Sequence, residues 1–299
     1  MSTPVLSINN LAKNYGSIKA LDGISYTVPP GCVFGILGPN GSGKTTTLGI
    51  ILDVLKANSG TFSWFGKPSG SETRKKIGSL LETPNFYHYL SALDNLKITQ
   101  AISGRGDAKS IDEVLKIVSL TERKKSKFST YSLGMKQRLA IGAALLGNPD
   151  VLVFDEPTNG LDPVGIAEIR ELIKQLARNG KTIIMASHLL DEVEKVCTHV
   201  AIMKKGVLIT AGAVNEVLVN EDIVELSASN MDNLYAALEH YAGSIKIHRE
   251  DNLVQLSFAV GTARLEEINN YCFAQGITLS LLAHKKKSLE AKFFELTSN

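Results

Sequence analysis

Apolar and polar positions change their rhythm several times along the chain. From Val5 to Val28, short apolar segments alternate with the turn residues Asn9-Asn10, Tyr15-Gly16 and Asp22-Gly23, a pattern that predicts antiparallel strands. The apolar run Val33–Leu37 reads as a further strand, and helix-compatible residues follow from Lys44 to Leu55. Another short strand is predicted between Thr61 and Gly66, after which Glu82 to Asn148 reads as mostly helical. Three β-rich runs then come at α/β spacing: Val151–Phe154, Thr182–Ala186 and Val200–Met203. Between the first two, Ile166, Ile169, Leu172, Ile173 and Leu176 fall on one face of an amphipathic helix ending at Arg178. Strand and helix alternating in this way predict a parallel-sheet core.

Past Gly212 the character changes. Strand Ile223–Leu226, helix Met231–Tyr241, strands Ser244–Ile247 and Leu253–Phe258, helix Ala263–Gln275 and strand Ile277–Leu282 give the order βαββαβ of a split βαβ, ferredoxin-like module. The expected division is therefore 1–218 for the larger domain and 219–299 for a small accessory α+β domain. A unit this small buries a modest core and is expected to lean on the first domain or on a second copy of itself.

Composition excludes more than it selects. With 299 residues and 44% hydrophobic content the chain has enough material for a sizeable core. A net charge of +2 gives no argument for nucleic acid or an acidic partner. The basic runs Arg123–Lys127 and Lys285–Lys287 are short, lack interleaved aromatics and read as solvated loops. Cys32, Cys197 and Cys272 lie far apart, which argues against a disulfide scaffold or zinc site and fits a reducing cytoplasm. The best membrane-span candidate, Leu139–Gly147, is less than half of the roughly 20 apolar residues required. The first residues lack the basic head and apolar body of a secretory signal. Any membrane role is expected to come through a separate partner chain.

Chemistry concentrates at strand ends. Gly38-Pro-Asn40-Gly41-Ser42-Gly43-Lys44-Thr45-Thr46 is a phosphate-binding loop between a predicted strand and helix. Its glycines let backbone N–H groups turn onto an anion, Lys44 adds a cation and the Thr45 hydroxyl is a Mg²⁺ ligand candidate. Binding of a nucleoside triphosphate is expected. Val151–Phe154 delivers Asp155 and Glu156 to the C-terminal edge of a buried strand, where Asp155 is placed to help hold Mg²⁺ and Glu156 to orient or deprotonate water. Thr182–Ser187 likewise delivers His188, a candidate for contact with the γ-phosphate or the attacking water.

The phosphate loop, Tyr131-Ser-Leu-Gly-Met-Lys-Gln-Arg138, Asp155-Glu156, Gly160-Leu-Asp162-Pro and His188 stand in the order and approximate spacing of ABC-type ATPases. From Val5 to Leu218 the sequence resembles a transporter ATP-binding subunit, within the bacitracin-resistance and lantibiotic-immunity exporter branch. The resemblance implies a P-loop fold with a RecA-like parallel-sheet core, an antiparallel β subdomain and a helical signature subdomain. It implies ATP and Mg²⁺ as ligands, catalysis by Lys44, Glu156 and His188, and Tyr15 as the aromatic that stacks on adenine. It also matches Ser132 and Gly134 to the signature motif that closes over ATP held by the opposite subunit, and Asp162 to the link between the two sites. The implied active species is a dimer holding two ATP molecules, coupled to separate transmembrane permease subunits on the inner face of the membrane. No nucleic acid is expected. The cargo implied by the branch is a peptide antibiotic or other drug.

Two departures from the family pattern stand out. The signature, usually Leu-Ser-Gly-Gly-Gln, is Tyr131-Ser-Leu-Gly-Met135, resembling the exporter branch. Glu82 stands where most members have a Mg²⁺-ligating glutamine; a carboxylate still ligates the metal but adds negative charge beside the triphosphate. Beyond it, Phe86, Tyr87 and Tyr89 are either anchors for a membrane-subunit helix or packing for the protein's own core, and His88 has no partner that would make it a ligand. Ser288–Thr297 resembles the closing helix common in the branch.

Overall fold

A computed structural model describes residues 3–81, 84–218, 222–259 and 261–286. The chain divides into two compact units, Met1–Val214 and Asn215–Asn299.

In the first unit, β1 (Leu6–Tyr15), β2 (Ile18–Val28) and β4 (Ser59–Trp64) form an antiparallel sheet in the order β2-β1-β4. Strands β1 and β2 meet at the tight turn Gly16-Ser17, as the sequence predicts. The turn residues at Asn9-Asn10 and Asp22-Gly23 do something else. They are irregularities inside continuous strands: Asn10 (φ +48) and Gly23 (φ +73) are left-handed, the register shifts between Ile8 and Leu11, and the Asn10 N–H donates to Ser25 Oγ at 2.8 Å. Strand β4 ends at Trp64 because Phe65 and Gly66, both at positive φ, reverse the chain. Trp64 is fully buried and its indole donates to the Ile51 carbonyl at 2.8 Å, which ties this sheet to the helix after the phosphate loop.

The second sheet is built from β3 (Val33–Leu37), β5 (Ile77–Leu80), β6 (Val151–Asp155), β7 (Thr182–Ser187), β8 (His199–Lys204) and β9 (Val207–Ala213). Their order is β5-β6-β7-β3-β8-β9, parallel except for the β8–β9 hairpin at the edge. All five residues of β3 and of β6 and all six of β7 are buried, which is why they read as unbroken apolar runs. Around this sheet pack α1 (Lys44–Ile51), α2 (Ser71–Lys75), α6 (Pro163–Arg178) and α7 (Leu190–Val196). Helix α1 stops short of Leu55 because Asp53 turns left-handed (φ +60) and the Val54 and Leu55 amides both close on the Gly49 carbonyl.

The segment from 82 to 148 holds α3 (Ala92–Ser103), α4 (Ala108–Ile117) and α5 (Leu133–Leu145), with irregular stretches at 84–91 and 121–132. Three of its helix starts carry the expected cap: Ser91, Asp107 and Ser132 each accept the N–H three residues on.

Helix α8 (Val214–Leu218) straddles the division between the units. The second unit runs β10 (Asp222–Ala228), α9 (Met231–Leu238), β11 (Lys246–Glu250), β12 (Leu253–Phe258), α10 (Leu265–Ala274) and β13 (Leu279–Lys286). Its antiparallel sheet has the order β11-β12-β10-β13. Val224, Leu226, Val254, Leu256 and Phe258 project from one sheet face onto Leu234, Leu238, Ile268 and Cys272 of the two helices, giving this unit its own core. The closing segment 288–297 lies outside the described residues.

Candidate active site

Register brings the functional strand ends level. Leu37 of β3 pairs with Ser187 of β7, and Asp155 of β6 pairs with Ala186 of β7. The phosphate loop, Asp155-Glu156 and His188 therefore emerge side by side from one edge of the sheet, where parallel strands of this kind hold their ligands.

The loop is shaped by glycines at positions that a side chain would strain or crowd. Gly41 and Gly43 adopt φ of +78° and +104°, and a Cβ on Gly43 would lie 2.6 Å from the Ala20 carbonyl oxygen. On Gly38 it would lie 2.4 Å from both the Met203 carbonyl oxygen and Ser42 Oγ. Helix α1 begins at Gly43 with no side-chain cap, which leaves its first amides available to an anion. Ser42 Oγ is buried with no hydrogen-bond partner among the described residues, a deficit that a phosphate oxygen would remedy. Asn40 and Thr45 are exposed and Thr46 is half-buried. Thr47, absent from the sequence expectation, spends its hydroxyl on the Gly43 carbonyl at 2.9 Å and is structural.

Lys44, only 6% exposed, donates to the carbonyls of Gly38 (2.8 Å) and Pro39 (3.3 Å), and its Nζ stands 3.6 Å from Glu156 Oε1. The other carboxylate oxygen of Glu156 lies 2.9 Å from His188 Nδ1. Lys44, Glu156 and His188 are thus joined through one carboxylate. Glu156 holds this position in the left-handed region, at φ +49, a conformation that costs an L residue about 1 kcal/mol or more. Its N–H donates to the Ala186 carbonyl (3.0 Å) and its own carbonyl accepts from Asn159 (3.1 Å), so the backbone on both sides fixes the strained turn. Nothing in the residue type signals this, because glycine, asparagine and aspartate are the usual occupants of such a conformation.

Asp155 is buried beside this group. Among the described residues no group of three or more His, Cys, Asp or Glu side chains could hold a metal on its own. The donor set Thr45 hydroxyl plus Asp155 carboxylate suits a hard cation such as Mg²⁺ that takes its remaining ligands from phosphate and water. Glu82 lies outside the described residues.

The other expected site residues sit apart. Ser132 is exposed and caps α5, accepting the Met135 N–H at 3.3 Å, while a Cβ on Gly134 would meet nothing within 4 Å. Asp162 caps α6, its Oδ1 accepting from the Gly165 N–H at 2.8 Å. Tyr15 is 46% exposed at the end of β1, with Lys13 Nζ 5.2 Å from its ring centroid. Among the described residues no hydrogen bond or ion pair joins Ser132, Asp162 or Tyr15 to Lys44, Glu156 or His188.

A groove of about 350 Å³ opens between the aromatic segment and α3, lined by Asn85, Phe86, Tyr87, Asn95, Ile98 and Ile102 among others. Buried Asn95 fixes its wall, accepting the Tyr87 N–H at 2.8 Å and donating to the Tyr87 carbonyl at 3.1 Å. Tyr87, Tyr89 and Ile102 are exposed at 50%, 68% and 81%, whereas Phe86 is half-buried. The aromatic stretch therefore divides its labour: Phe86 faces the protein's own core while the two tyrosines face out.

Comparison with known proteins fits this geometry. Residues 21–159 match the ABC transporter family model. The bacitracin transport ATP-binding protein BcrA of Bacillus licheniformis is 36% identical over 99% of this chain and 98% of its own length. The lantibiotic transport ATP-binding protein SrtF of Streptococcus pyogenes is 38% identical over 69% of this chain and 89% of its own. Among solved structures, cbiO1 from Clostridium perfringens, part of the ABC transporter complex cbiONQ, matches with a TM-score of 0.66 and 32% identity over 72% of this chain and 91% of its own. A full-length relationship of this kind, carried by a glycine-built phosphate cradle and an adjoining carboxylate–histidine pair, makes the chain a member of the ATP-binding, ATP-hydrolysing subunits of ABC transporters.

Proposed function

We propose that the chain powers an exporter by closing as a dimer around two ATP molecules, each held by the phosphate loop of one protomer and the signature residues Ser132 and Gly134 of the other. The observation that carries the catalytic half of this reading is the contact series from Lys44 through Glu156 to His188.

In this mechanism the loop amides from Gly38 to Thr46 and the Lys44 ammonium hold the β- and γ-phosphates, and the exposed Tyr15 ring stacks on adenine. Glu156 accepts a proton from water as the water oxygen attacks the γ-phosphorus. The bond from that phosphorus to the bridging oxygen breaks, and ADP leaves with the electron pair. His188 keeps the Glu156 carboxylate oriented and stabilises the transferring phosphoryl group. Mg²⁺ held by Thr45 and Asp155, with Glu82 as a further ligand, would neutralise charge on the phosphate oxygens.

Support for the composite site comes from surface chemistry. Ser132 caps α5 from an exposed position, Gly134 adjoins open space, and apolar Leu133 and Val164 are exposed at 45% and 66% beside Ser132 and Asp162 in sequence. These features suit an approaching second protomer and its terminal phosphate. Asp162 then links the two sites from the start of α6.

No helix among the described residues is long and apolar enough to cross a membrane, and in this reading transport runs through separate membrane-spanning chains. The groove beside Phe86, with Tyr87, Tyr89 and Ile102 exposed around it, suits a short amphipathic helix from such a chain. The relatives' names support a peptide antibiotic as cargo. For residues 219–299, the β11-β12-β10-β13 order with two helices on one face supports a ferredoxin-like accessory domain.

The test is Glu156→Gln, which keeps the side chain's shape and removes the base. The variant is expected to bind MgATP, fail to turn it over and accumulate as a dimer in light scattering. A variant that stays monomeric at saturating MgATP overturns the sandwich. Purification of the unmodified chain from detergent-solubilised membranes identifies the permease partner.

A further inference from the structure

The basic run Arg123–Lys127, which reads as a solvated loop in the sequence, is not a free loop. It leads into the second arm of a short antiparallel ribbon whose first arm is the aromatic segment. The Phe128 N–H donates to the Leu90 carbonyl at 2.8 Å, the Ala92 N–H donates to the Ser126 carbonyl at 3.3 Å, and Ser91 stands opposite Lys127. Side chains alternate across such a pair, so the ribbon has two faces of different chemistry.

One face is turned inward. Phe86 and His88 meet the Phe128 ring edge-on, with centroids 5.2 and 5.5 Å away, and Phe128 is 1% exposed. The residues between them point the other way. Tyr87 and Tyr89 touch each other edge-on at 6.0 Å and are both exposed, as are Lys127 and Ser129 on the opposite arm. Lys125, in the turn that enters the ribbon, is exposed too.

The cations of this region are not equivalent. Lys124 pairs with Asp112 at 2.8 Å, Arg123 Nε donates to Ser126 Oγ at 3.1 Å, and Lys136 Nζ lies 5.4 Å from the centroid of the buried Phe128 ring. Lys125 and Lys127, by contrast, have no side-chain hydrogen bond, ion pair or ring contact among the described residues. Opposing charge is sparse. Asp94 accepts from Ser91 Oγ at 2.6 Å and stands 3.8 Å from Lys97 Nζ, so its charge is already answered. Glu122 is the single acid among residues 121–130, against four basic side chains.

Exposed tyrosines beside unpaired ammoniums match a membrane interface, where a phenol ring rests at headgroup depth and lysine reaches lipid phosphate. Nucleic acid is a poorer match, because two rings set edge-on to each other form no slot for a stacked base. We propose that this outer face, made by Tyr87, Tyr89, Lys125 and Lys127, is a peripheral contact with the anionic headgroups of the bilayer beside the docking groove. Tyr87 lines the groove and belongs to the face, so the two surfaces are continuous. The inference rests on the reading that a membrane-spanning chain seats in that groove. Such a chain holds the face near the headgroups, where side chains that give weak, reversible attachment on their own add to the grip.

The test uses the purified full-length chain without nucleotide or partner, so neither dimer closure nor the permease enters the result. Vesicles of about one-third phosphatidylglycerol in phosphatidylcholine are expected to sediment the chain, and pure phosphatidylcholine vesicles to bind it at least about tenfold more weakly. Lys125→Gln combined with Lys127→Gln should weaken binding to the anionic vesicles about 25-fold, at about fivefold per lysine. Lys67→Gln combined with Lys75→Gln, the same charge change outside residues 85–130, should stay within about twofold of the parent, since charge away from the contact is screened. Equal losses for the two pairs, or equal binding to the two kinds of vesicle, overturn the proposal. Tighter binding to single-stranded DNA at the same phosphate concentration also overturns it, by assigning the face to nucleic acid. Depth is read with Tyr89→Trp: the one native tryptophan, Trp64, is fully buried, so quenching by brominated phosphatidylglycerol reports on position 89. An unquenched indole there sinks the contact. ATP turnover of the Lys125 and Lys127 double variant should stay within about twofold of the parent, which shows that the fold is intact. If the vesicle measurements fail while a permease still co-purifies, this proposal falls and the docking groove stands.

Discussion

Ser132 has two possible duties, one local and one between protomers, and a single substitution separates them. Its hydroxyl caps α5 within the chain, and the proposed function has the same residue meet ATP held by the mate. Aspartate is as good an N-cap as serine, so Ser132→Asp keeps the helix start, and the melting temperature should stay within about 1 °C of the parent. Ser132→Ala removes the cap. At an exposed helix start this costs about 1 kcal/mol, or about 2 to 4 °C in a unit of this size. For dimer closure the order reverses. A carboxylate placed about 4 Å from a phosphate charge, at the effective dielectric near a protein surface, is opposed by about 4 kcal/mol in each site. Closure should therefore weaken by about a thousandfold per site in Ser132→Asp and far less in Ser132→Ala. Both are made in the Glu156→Gln background, with melts recorded without nucleotide and dimer dissociation constants measured by sedimentation in MgATP. If Ser132→Asp dimerises as tightly as its parent, the signature residue faces no phosphate and the sandwich is refuted.

Other outcomes follow from the same geometry. Gly43→Ala forces a side chain onto the Ala20 carbonyl oxygen at positive φ, so MgATP should no longer raise its melting temperature while it does so for the parent. Glu82→Gln should alter the Mg²⁺ dependence of ATP turnover; superimposable titrations would remove Glu82 from the metal site. Cys32, Cys197 and Cys272 are all buried, and burial pushes the Cys32 thiol up to about 12 from 9.0 and raises the other two. The native chain should resist a disulfide reagent that labels all three in denaturant. The same burial makes stability pH-dependent in a set direction: the Cys32 thiol's contribution is complete below 9.0 and is lost as pH climbs from there towards about 12, which denaturant melts between pH 8 and 10 would register.

The parts of this molecule legible in its sequence are those where one physical demand dominates. Buried parallel strands must be continuously apolar, and β3, β6 and β7 were found by that alone. The glycine pattern of the phosphate loop and the carboxylates after β6 are equally direct. What escaped has competing explanations. Asn9-Asn10 and Asp22-Gly23 carry turn chemistry yet sit inside strands, because a bulge and a turn ask for the same positive φ. Strand β9 did carry a signal, the Lys205-Gly206 pair at φ +48 and +81 between β-rich runs, that marks a tight hairpin. Segments 84–91 and 121–132 look helical by composition, but their aromatics bind to each other across the two segments, and no local period encodes that. The ion pair between Lys44 and Glu156 joins positions over a hundred residues apart and follows only from strand order.

The left-handed backbone at Glu156 sets a trap for anyone improving this protein. Asparagine or glycine would sit more comfortably there, relieving about 1 kcal/mol of local strain, and either would delete the carboxylate proposed to activate water. Directed evolution screened by heat survival alone should accordingly enrich inert variants at this codon, and any thermostable library needs an activity gate to keep its engine running.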